Sequence, residues 1–185
     1  PTVWLGGAYD AKADIIYIYD SYGQKRESPI YHADCISNKE MGDRIPIMFP
    51  HDGNKVGDPN SGETWAEMYR GLGLNVLFQT FTNKPVPGKD KGNLSIEVGN
   101  SECLQRFQTG RLKIAKHLYE LLRECREYHR KDGKPNDKHG VDYVDDMRYL
   151  VNSIERFGEV IDASYQSGYQ AFKNMEIPYD TSQYV

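Results

Sequence analysis

Two acidic stretches, far apart in the sequence, contain the side chains best suited to chemistry. In the first, IMFPHDGN, an apolar run ends in a Pro-His-Asp-Gly turn, which places Asp52 at the end of a predicted buried strand. In the second, HGVDYVDDMRYL, three acids stand at the start of a predicted helix: Asp142, Asp145 and Asp146. Their spacings of three and four residues put them on one helix face. Because clustered acids repel each other, a cation would stabilise them, and oxygen-only ligands suit Mg²⁺ or Mn²⁺.

Both stretches also have structural explanations. Pro-His-Asp-Gly is favourable turn chemistry, and acids near a helix N-terminus interact well with the helix dipole. If the two stretches meet, however, carboxylates from a strand end and a helix start form the pattern of two-metal phosphoryl transfer. In that chemistry two ions, about 3.5–4 Å apart, activate a water and stabilise the leaving oxygen.

Basic side chains beside the acids are candidates for assisting roles. His51 and His139 flank the two acidic stretches and are placed to steer phosphate or water, although a histidine in such a position is more often structural or exposed. Lys138 and Arg148 are candidate phosphate neighbours, and Arg148 is equally well placed to pair with an acid on its own helix.

The composition is that of a single domain with a real core. The chain has 185 residues, of which 38% are apolar. Its net charge of −4 does not by itself indicate a nucleic-acid-binding protein. Locally, the stretch TNKPVPGKDKGN contains Lys84, Lys89 and Lys91 among Pro and Gly, which predicts an exposed loop that faces DNA.

Several protein classes are disfavoured by the sequence. No apolar stretch is long enough to span a bilayer, and nothing at the start resembles a signal peptide. The three cysteines are scattered without a CxxC pair, which is typical of reduced thiols in a cytosolic setting. Neither a GxxxxGK[ST] phosphate-binding loop nor a GxSxG nucleophile turn occurs.

Hydrophobic periodicity and turn residues predict alternating strands and helices. Two strands, TVWLGGAY and IIYIYDSY, form an antiparallel hairpin. The elements predicted after it are a helix from Ser28-Pro29 to about residues 41–42, the strand RIPIMF ending at Asp52, a helix and a strand within TWAEMYRGLGLNVLF, a helix at about 94–108, the short strand RLKIA, the amphipathic helix AKHLYELLRECREYHR and a helix at about 141–157. The inner faces predicted for two of these helices are Trp65, Met68 and Leu72 in one, and Leu118, Leu121, Leu122 and Cys125 in the other. This order predicts an α/β fold with a mixed sheet, helices on its faces and sites at the carboxyl ends of its strands.

Two long segments resemble motifs of one family. FPHDGNKVGDPNSGETWAEMYRGLGLNV resembles the second acidic motif of tailed-phage terminase large subunits, and DGKPNDKHGVDYVDDMRYL resembles their last motif, an Asp-x-x-Asp-x-x-Arg-Tyr helix after a His-containing loop. The resemblance is to the C-terminal nuclease domain and covers roughly residues 1–157. It implies an RNase H-like fold, a mixed β-sheet flanked by α-helices, over residues 1–160, with a C-terminal tail at 161–185.

The resemblance also implies an activity and a set of site residues. The resemblance implies cleavage of concatemeric viral genome DNA during packaging, with two Mg²⁺ or Mn²⁺ ions and with little sequence specificity. On that basis Asp52 and Asp142 are the first candidates for catalysis and metal binding. Asp145 and Asp146 come next, because the family motif aligns with either Asp142 or Asp145. The family's first catalytic acid lies on a strand that would precede Pro1.

Implied partners are double-stranded DNA, the terminase small subunit, the portal protein and an N-terminal ATPase motor domain in the full-length chain. The implied place of action is the viral packaging motor at the procapsid in the host cytoplasm, with no membrane involved. Two alternatives stay open: another RNase H-like nuclease, such as a resolvase or integrase relative, and a non-catalytic module that docks DNA or the portal and uses its carboxylates only structurally.

Overall fold

The computed structural model describes residues 1–85, 88, 92–131, 134–135 and 141–159. Its strands are β1 (Thr2–Asp10), β2 (Ile15–Gln24), β3 (Ile47–Phe49), β4 (Val76–Thr80), β5 (Leu112–Ile114), β6 (Arg130–Lys131) and β7 (Lys134–Pro135). Its helices are α1 (Pro29–Ser37), α2 (Trp65–Gly71), α3 (Ile96–Gln108), α4 (Tyr119–Glu127) and α5 (Asp142–Phe157). None of these helices is long and apolar enough to cross a membrane. The predicted tail at 161–185 lies outside the described residues.

The first sheet has the strand order β1-β2-β5. β1 and β2 form the predicted antiparallel hairpin, whose β-branched and aromatic residues favour strands, and β5 adds in parallel to β2. A register shift interrupts the hairpin between Gly6 and Gly7. The fully buried side chains between this sheet and the helices α4 and α5 include Ile16, Ile18, Ile114, Leu121 and Val151.

Helix α5 packs across β1 and against α3 and α4. The approach to β1 is close at Gly7, where a Cβ atom would lie only 2.8 Å from Leu150 Cδ1. This packing sets the orientation of α5 and therefore the position of the acids in its first turns.

The second sheet is the parallel pair β3–β4. Its apolar residues form a separate core cluster with α1 and α2, and Trp4 of β1 packs into the same cluster. β1 is the edge strand of the first sheet, and among the described residues no strand joins it to β3. The predicted mixed sheet is therefore present in two parts.

Two helix starts follow the expected capping chemistry. The Ser28 side chain accepts a hydrogen bond from the Tyr31 N–H at 3.2 Å, which confirms the predicted cap of α1. α2 begins with a capping box between Thr64 and Glu67. α1 ends at Ser37, short of the predicted end near residues 41–42, and the left-handed φ of 64° at Met41 is incompatible with a continuing helix.

The strand before Asp52 is shorter than predicted. β3 ends at Phe49, because Pro50 lacks a backbone N–H for the sheet and the chain turns there, with the Gly53 N–H donating to the Pro50 carbonyl at 2.9 Å. Asp52 therefore lies in the turn after the strand and not at its last position.

The predicted inner face of α2 needs correction. α2 buries Ala66 and Tyr69, whereas Trp65 and Leu72 are 41% and 38% exposed. The helix is rotated because Tyr69 packs against Phe49 of β3, with ring centroids 5.5 Å apart.

The inner face predicted for the second helix, α4, is confirmed, since Leu118 and Leu121 are buried and Leu122 and Cys125 pack against the same core cluster. Periodicity did not predict that Glu124 is also buried there, with only 3% exposure. α4 also begins at Tyr119, later than the predicted segment.

A buried arginine ties α3 to the turn of the hairpin and to α5. Arg106 is 3% exposed and forms ion pairs with Asp14 at 3.0 Å, with Glu102 at 2.8 Å and with Glu155. Lys84 joins the same network through Glu155 at 2.7 Å. This network of ion pairs thus connects α3, the hairpin turn and α5.

Candidate metal and nucleic-acid site

A cavity of about 1830 Å³ lies between β1, β3 and α5. It runs along most of β1 and is walled on the other side by the segment Ile45–Pro50. The carboxylates that line it are those of Asp10, Asp20, Glu27, Glu40, Asp52, Asp142, Asp145, Asp146, Glu155 and Glu159. The fold thus brings the two acidic stretches that stand far apart in the sequence to the wall of one cavity.

Asp52 reaches the cavity from the turn after β3. Its side chain is 45% exposed, and Lys55 Nζ lies 3.5 Å from its Oδ2 atom. An ion pair this exposed contributes at most about 1 kcal/mol to the stability of the fold, so Asp52 stays available for another role. Burial raises the pKa of Tyr149 on α5, and the negative charge of Asp52 adds to that shift. Asp52 is therefore within electrostatic reach of α5.

Asp145 is held by the arginine three residues further along its own helix. Arg148 donates from Nη2 and Nε to the Asp145 Oδ1 atom, at 2.9 Å and 3.3 Å. The guanidinium is buried and lies over the rings of Phe81 and Tyr149, at 5.5 Å and 4.5 Å from their centroids. Gly99 on α3 leaves room for it, because a Cβ atom there would lie 2.7 Å from two atoms of the Arg148 side chain. The second explanation offered for Arg148, a partner for an acid on its own helix, is therefore what the structure shows.

Asp146 is half-buried and lines the same cavity. Burial raises its pKa to about 8, against an opposing hydrogen bond from the Leu5 backbone, and the charge of Asp145 raises it further. A metal ion at this carboxyl would therefore compete with a proton. Asp146 is the least available of the three acids as a ligand.

Asp142, the first residue of α5, has no ion-pair partner within the described part of the chain. The N–H groups that follow it are occupied, because Glu124 of α4 accepts hydrogen bonds from Tyr143 at 2.8 Å and Val144 at 3.2 Å. Burial raises the pKa of Glu124, and these two N–H groups oppose that shift. The available sequence signal for Glu124 was an acid at a helical position beside the apolar residues Leu121 and Cys125.

The donor atoms around the cavity have the chemistry that Mg²⁺ or Mn²⁺ requires, but they are spread out. Across the residues that the structure describes, no three histidine, cysteine, aspartate or glutamate side chains come close enough to hold a metal ion together. Oxygen ligands suit these cations, and a protein site needs several of them in one place. The assignment of ligands to Asp52, Asp142, Asp145 and Asp146 stays a prediction.

The other predicted site residues are located only in part. His51 is exposed in the turn beside Asp52, whereas Lys138 and His139 lie outside the described residues. Of the three lysines predicted to face DNA, Lys84 is ion-paired with Glu155 and is 31% exposed, so it belongs to the network around Arg106. Lys89 and Lys91 also lie outside the described residues.

Comparison with known proteins places this arrangement in a family. A family model described as the terminase RNaseH-like domain matches residues 1–153. The chain belongs to this family. The terminase domain is also similar to a solved structure, the P22 large terminase nuclease domain, with a TM-score of 0.71 and 25% sequence identity over 85% of this chain and 76% of that chain. A search of curated proteins found no match.

These comparisons confirm two of the expectations drawn from sequence. The resemblance to terminase large subunits is correct, and the fold is the RNase H-like one, with a mixed sheet flanked by helices. The terminase domain differs from the expected single sheet in that β1-β2-β5 and β3-β4 are separate.

Proposed function

We propose that this terminase domain is a metal-dependent endonuclease that cleaves double-stranded DNA with little sequence preference. The observation behind the proposal is that Asp52 and the first turns of α5 line one cavity, although 90 residues separate Asp52 from Asp142 in the sequence. The P22 domain of similar fold is described as a nuclease, which supports the same chemistry here.

Asp52 and Asp142 are the proposed metal ligands. Asp145 is paired with the buried Arg148, so its charge is already compensated. Burial raises the pKa of Asp146 to about 8, so a metal ion there would compete with a proton. Asp142 has neither constraint, and it lines the cavity together with Asp52. We therefore assign the family motif to Asp142 and not to Asp145.

A third acid is proposed to come from a strand that fills the cavity. β1 is the edge of its sheet and the cavity runs along it, with the β3–β4 pair on the far side. The hydroxyl of Ser153, which also lines the cavity, is buried and has no hydrogen-bond partner among the described residues. A further strand paired with β1 would join the two sheets and supply the acid that the family places on its first strand.

When bound, two divalent ions would supply an activated water and positive charge for the leaving oxygen. Asp52, from the turn after β3, and Asp142, at the start of α5, would hold them. Arg148 keeps Asp145 in place by a charge-assisted hydrogen bond, and its guanidinium is itself held over the rings of Phe81 and Tyr149.

The proposed substrate is concatemeric genome DNA, and the proposed partners are the terminase small subunit, the portal and the ATPase motor domain of the full-length chain. Metal ions act on any phosphodiester alike, so the choice of the cleavage site would come from these partners. The proposed setting is the packaging motor at the procapsid in the host cytoplasm.

Digestion of supercoiled plasmid by the full-length protein in Mn²⁺, with mapping of the DNA ends, tests the proposal. We expect ends without a common sequence, and activity reduced by more than about 100-fold in Asp52→Asn and in Asp142→Asn. Asp43→Asn is the matched control, since Asp43 is exposed and does not line the cavity. Discrete fragments from one sequence, or full activity in both site variants, would contradict the proposal.

A non-catalytic docking module is the second candidate. It is favoured by one observation, the lack of three gathered ligands among the described residues. Under this alternative, wild-type protein binds DNA equally well with and without Mn²⁺ and does not cut it.

A further inference from the structure

The first turn of α5 lacks a cap of its own. Val141 occupies the N-cap position and makes no side-chain hydrogen bond, and valine is among the poorest residues there. The N–H groups that an N-cap side chain would normally bind are those of the second and third helical residues, here Tyr143 and Val144.

Glu124 supplies this cap from a different helix. Its Oε2 atom accepts both N–H groups, at 2.8 Å from the nitrogen of Tyr143 and 3.2 Å from that of Val144. Glu124 is 3% exposed and lies beside Leu121, in a setting where a carboxylate is costly unless it is hydrogen-bonded. The first turn of α5 is thus held from α4.

This cap has a consequence for Asp142. An aspartate beside free first-turn N–H groups tends to turn back and accept them itself. Because Glu124 occupies those groups, Asp142 is left to line the cavity, and it has no ion-pair partner within the described part of the chain.

We infer that Glu124 is a positioning residue for the metal site, which occupies the first-turn N–H groups of α5 so that the Asp142 carboxylate stays directed at the cavity. The inference rests on the proposed function, in which Asp142 binds metal. Glu124 does not line the cavity, and in this role it acts through the backbone of α5.

Mn²⁺ binding to the full-length protein, measured by calorimetry at a temperature where every variant is folded, tests this role. We expect Glu124→Ala to weaken Mn²⁺ binding by about tenfold or more, as is usual when a group that orients a ligand is removed. Glu124→Gln keeps the shape and one acceptor oxygen, and it should stay within about threefold of wild type. Leu121→Ala is the matched control, because Leu121 is fully buried on the same helix and makes no hydrogen bond to α5. It should lower the melting temperature at least as much as Glu124→Ala and leave Mn²⁺ affinity unchanged.

Three results would overturn the inference. Wild-type Mn²⁺ affinity in Glu124→Ala would show that the orientation of Asp142 does not depend on Glu124. Equal weakening in Glu124→Gln and Glu124→Ala would show that the charge matters and not the positioning, and equal weakening in Leu121→Ala would show general destabilisation. If Mn²⁺ binding by the wild-type protein does not depend on Asp142, both the proposed function and this inference are wrong. If it does depend on Asp142 but the affinity is unchanged in Glu124→Ala, only this inference is wrong.

Discussion

Asp146→Asn should remove a pH dependence of stability that extends across neutral pH. Burial in the wall of the cavity raises the pKa of Asp146 from 3.8 to about 8. A carboxyl whose pKa is raised by folding binds its proton more tightly in the folded state than in the unfolded chain. Its stabilising contribution is therefore complete below about pH 4 and is lost as the pH rises through about 8.

The size of the effect follows from the two pKa values. One pKa unit corresponds to about 1.4 kcal/mol. The contribution of Asp146 should therefore lower the free energy of unfolding by about 2.7 kcal/mol between about pH 5 and about pH 7. Asparagine has no proton to exchange, so this part of the slope disappears in the variant.

Urea unfolding of wild type and Asp146→Asn at the two pH values, with EDTA present, measures the difference. Other titrating groups cancel, because only the change in the difference between the two proteins is compared. Asp43→Asn, at an exposed acid, is the control and should keep the wild-type slope. Parallel pH profiles for wild type and Asp146→Asn would show that Asp146 is ionised in the folded protein and would refute the reasoning.

Two further predictions concern stability and are checked by urea unfolding. Arg106→Met should lower the free energy of unfolding by about 3 kcal/mol, because it leaves three acids without their shared buried partner. Arg123→Ala, at an exposed ion-paired arginine, is the control and should cost at most about 1 kcal/mol. Equal losses in the two variants would contradict the role of burial. Gly99→Ala should cost about 1–3 kcal/mol, since its Cβ would meet Arg148, whereas Gly71→Ala has open space and should be neutral or stabilising by up to about 1 kcal/mol. A neutral Gly99→Ala would show that Arg148 can move aside.

The parts of the fold that depend on local pattern could be predicted from the sequence. The hairpin follows from two runs of β-branched and aromatic residues around a polar turn, and α5 from a long amphipathic segment. The cap of α1 was predictable because Ser28 is a favourable N-cap residue and Pro29, directly after it, favours the first helical position. These signals lie within a few residues of the element that they specify.

Features that depend on tertiary contact could not be predicted in this way. α2 turns its Tyr69 face inward because Phe49 lies on the neighbouring strand, which periodicity within α2 cannot show. The hydrogen bonds of Glu124 could not be predicted for the same reason, since the N–H groups that it binds belong to a helix that begins 15 residues after α4 ends.

The candidate site shows the same division. The sequence indicated which acids matter, because their types and spacing are local. Their division of roles is a property of the fold: Asp145 is paired with Arg148, Asp146 has a raised pKa, and Asp142 lines the cavity with Asp52 and has neither constraint.

The most direct test of the central claim, that Asp52 and Asp142 bind the same metal site, is the affinity for Mn²⁺ in a double-mutant cycle on the full-length protein. The four proteins are wild type, Asp52→Asn, Asp142→Asn and the variant with both changes. Ligands of one site are not independent, so each single change should weaken binding strongly and the second should add little to the first. Two independent, additive losses, or wild-type affinity in either single variant, would show that the two carboxylates do not share a site and would contradict the account.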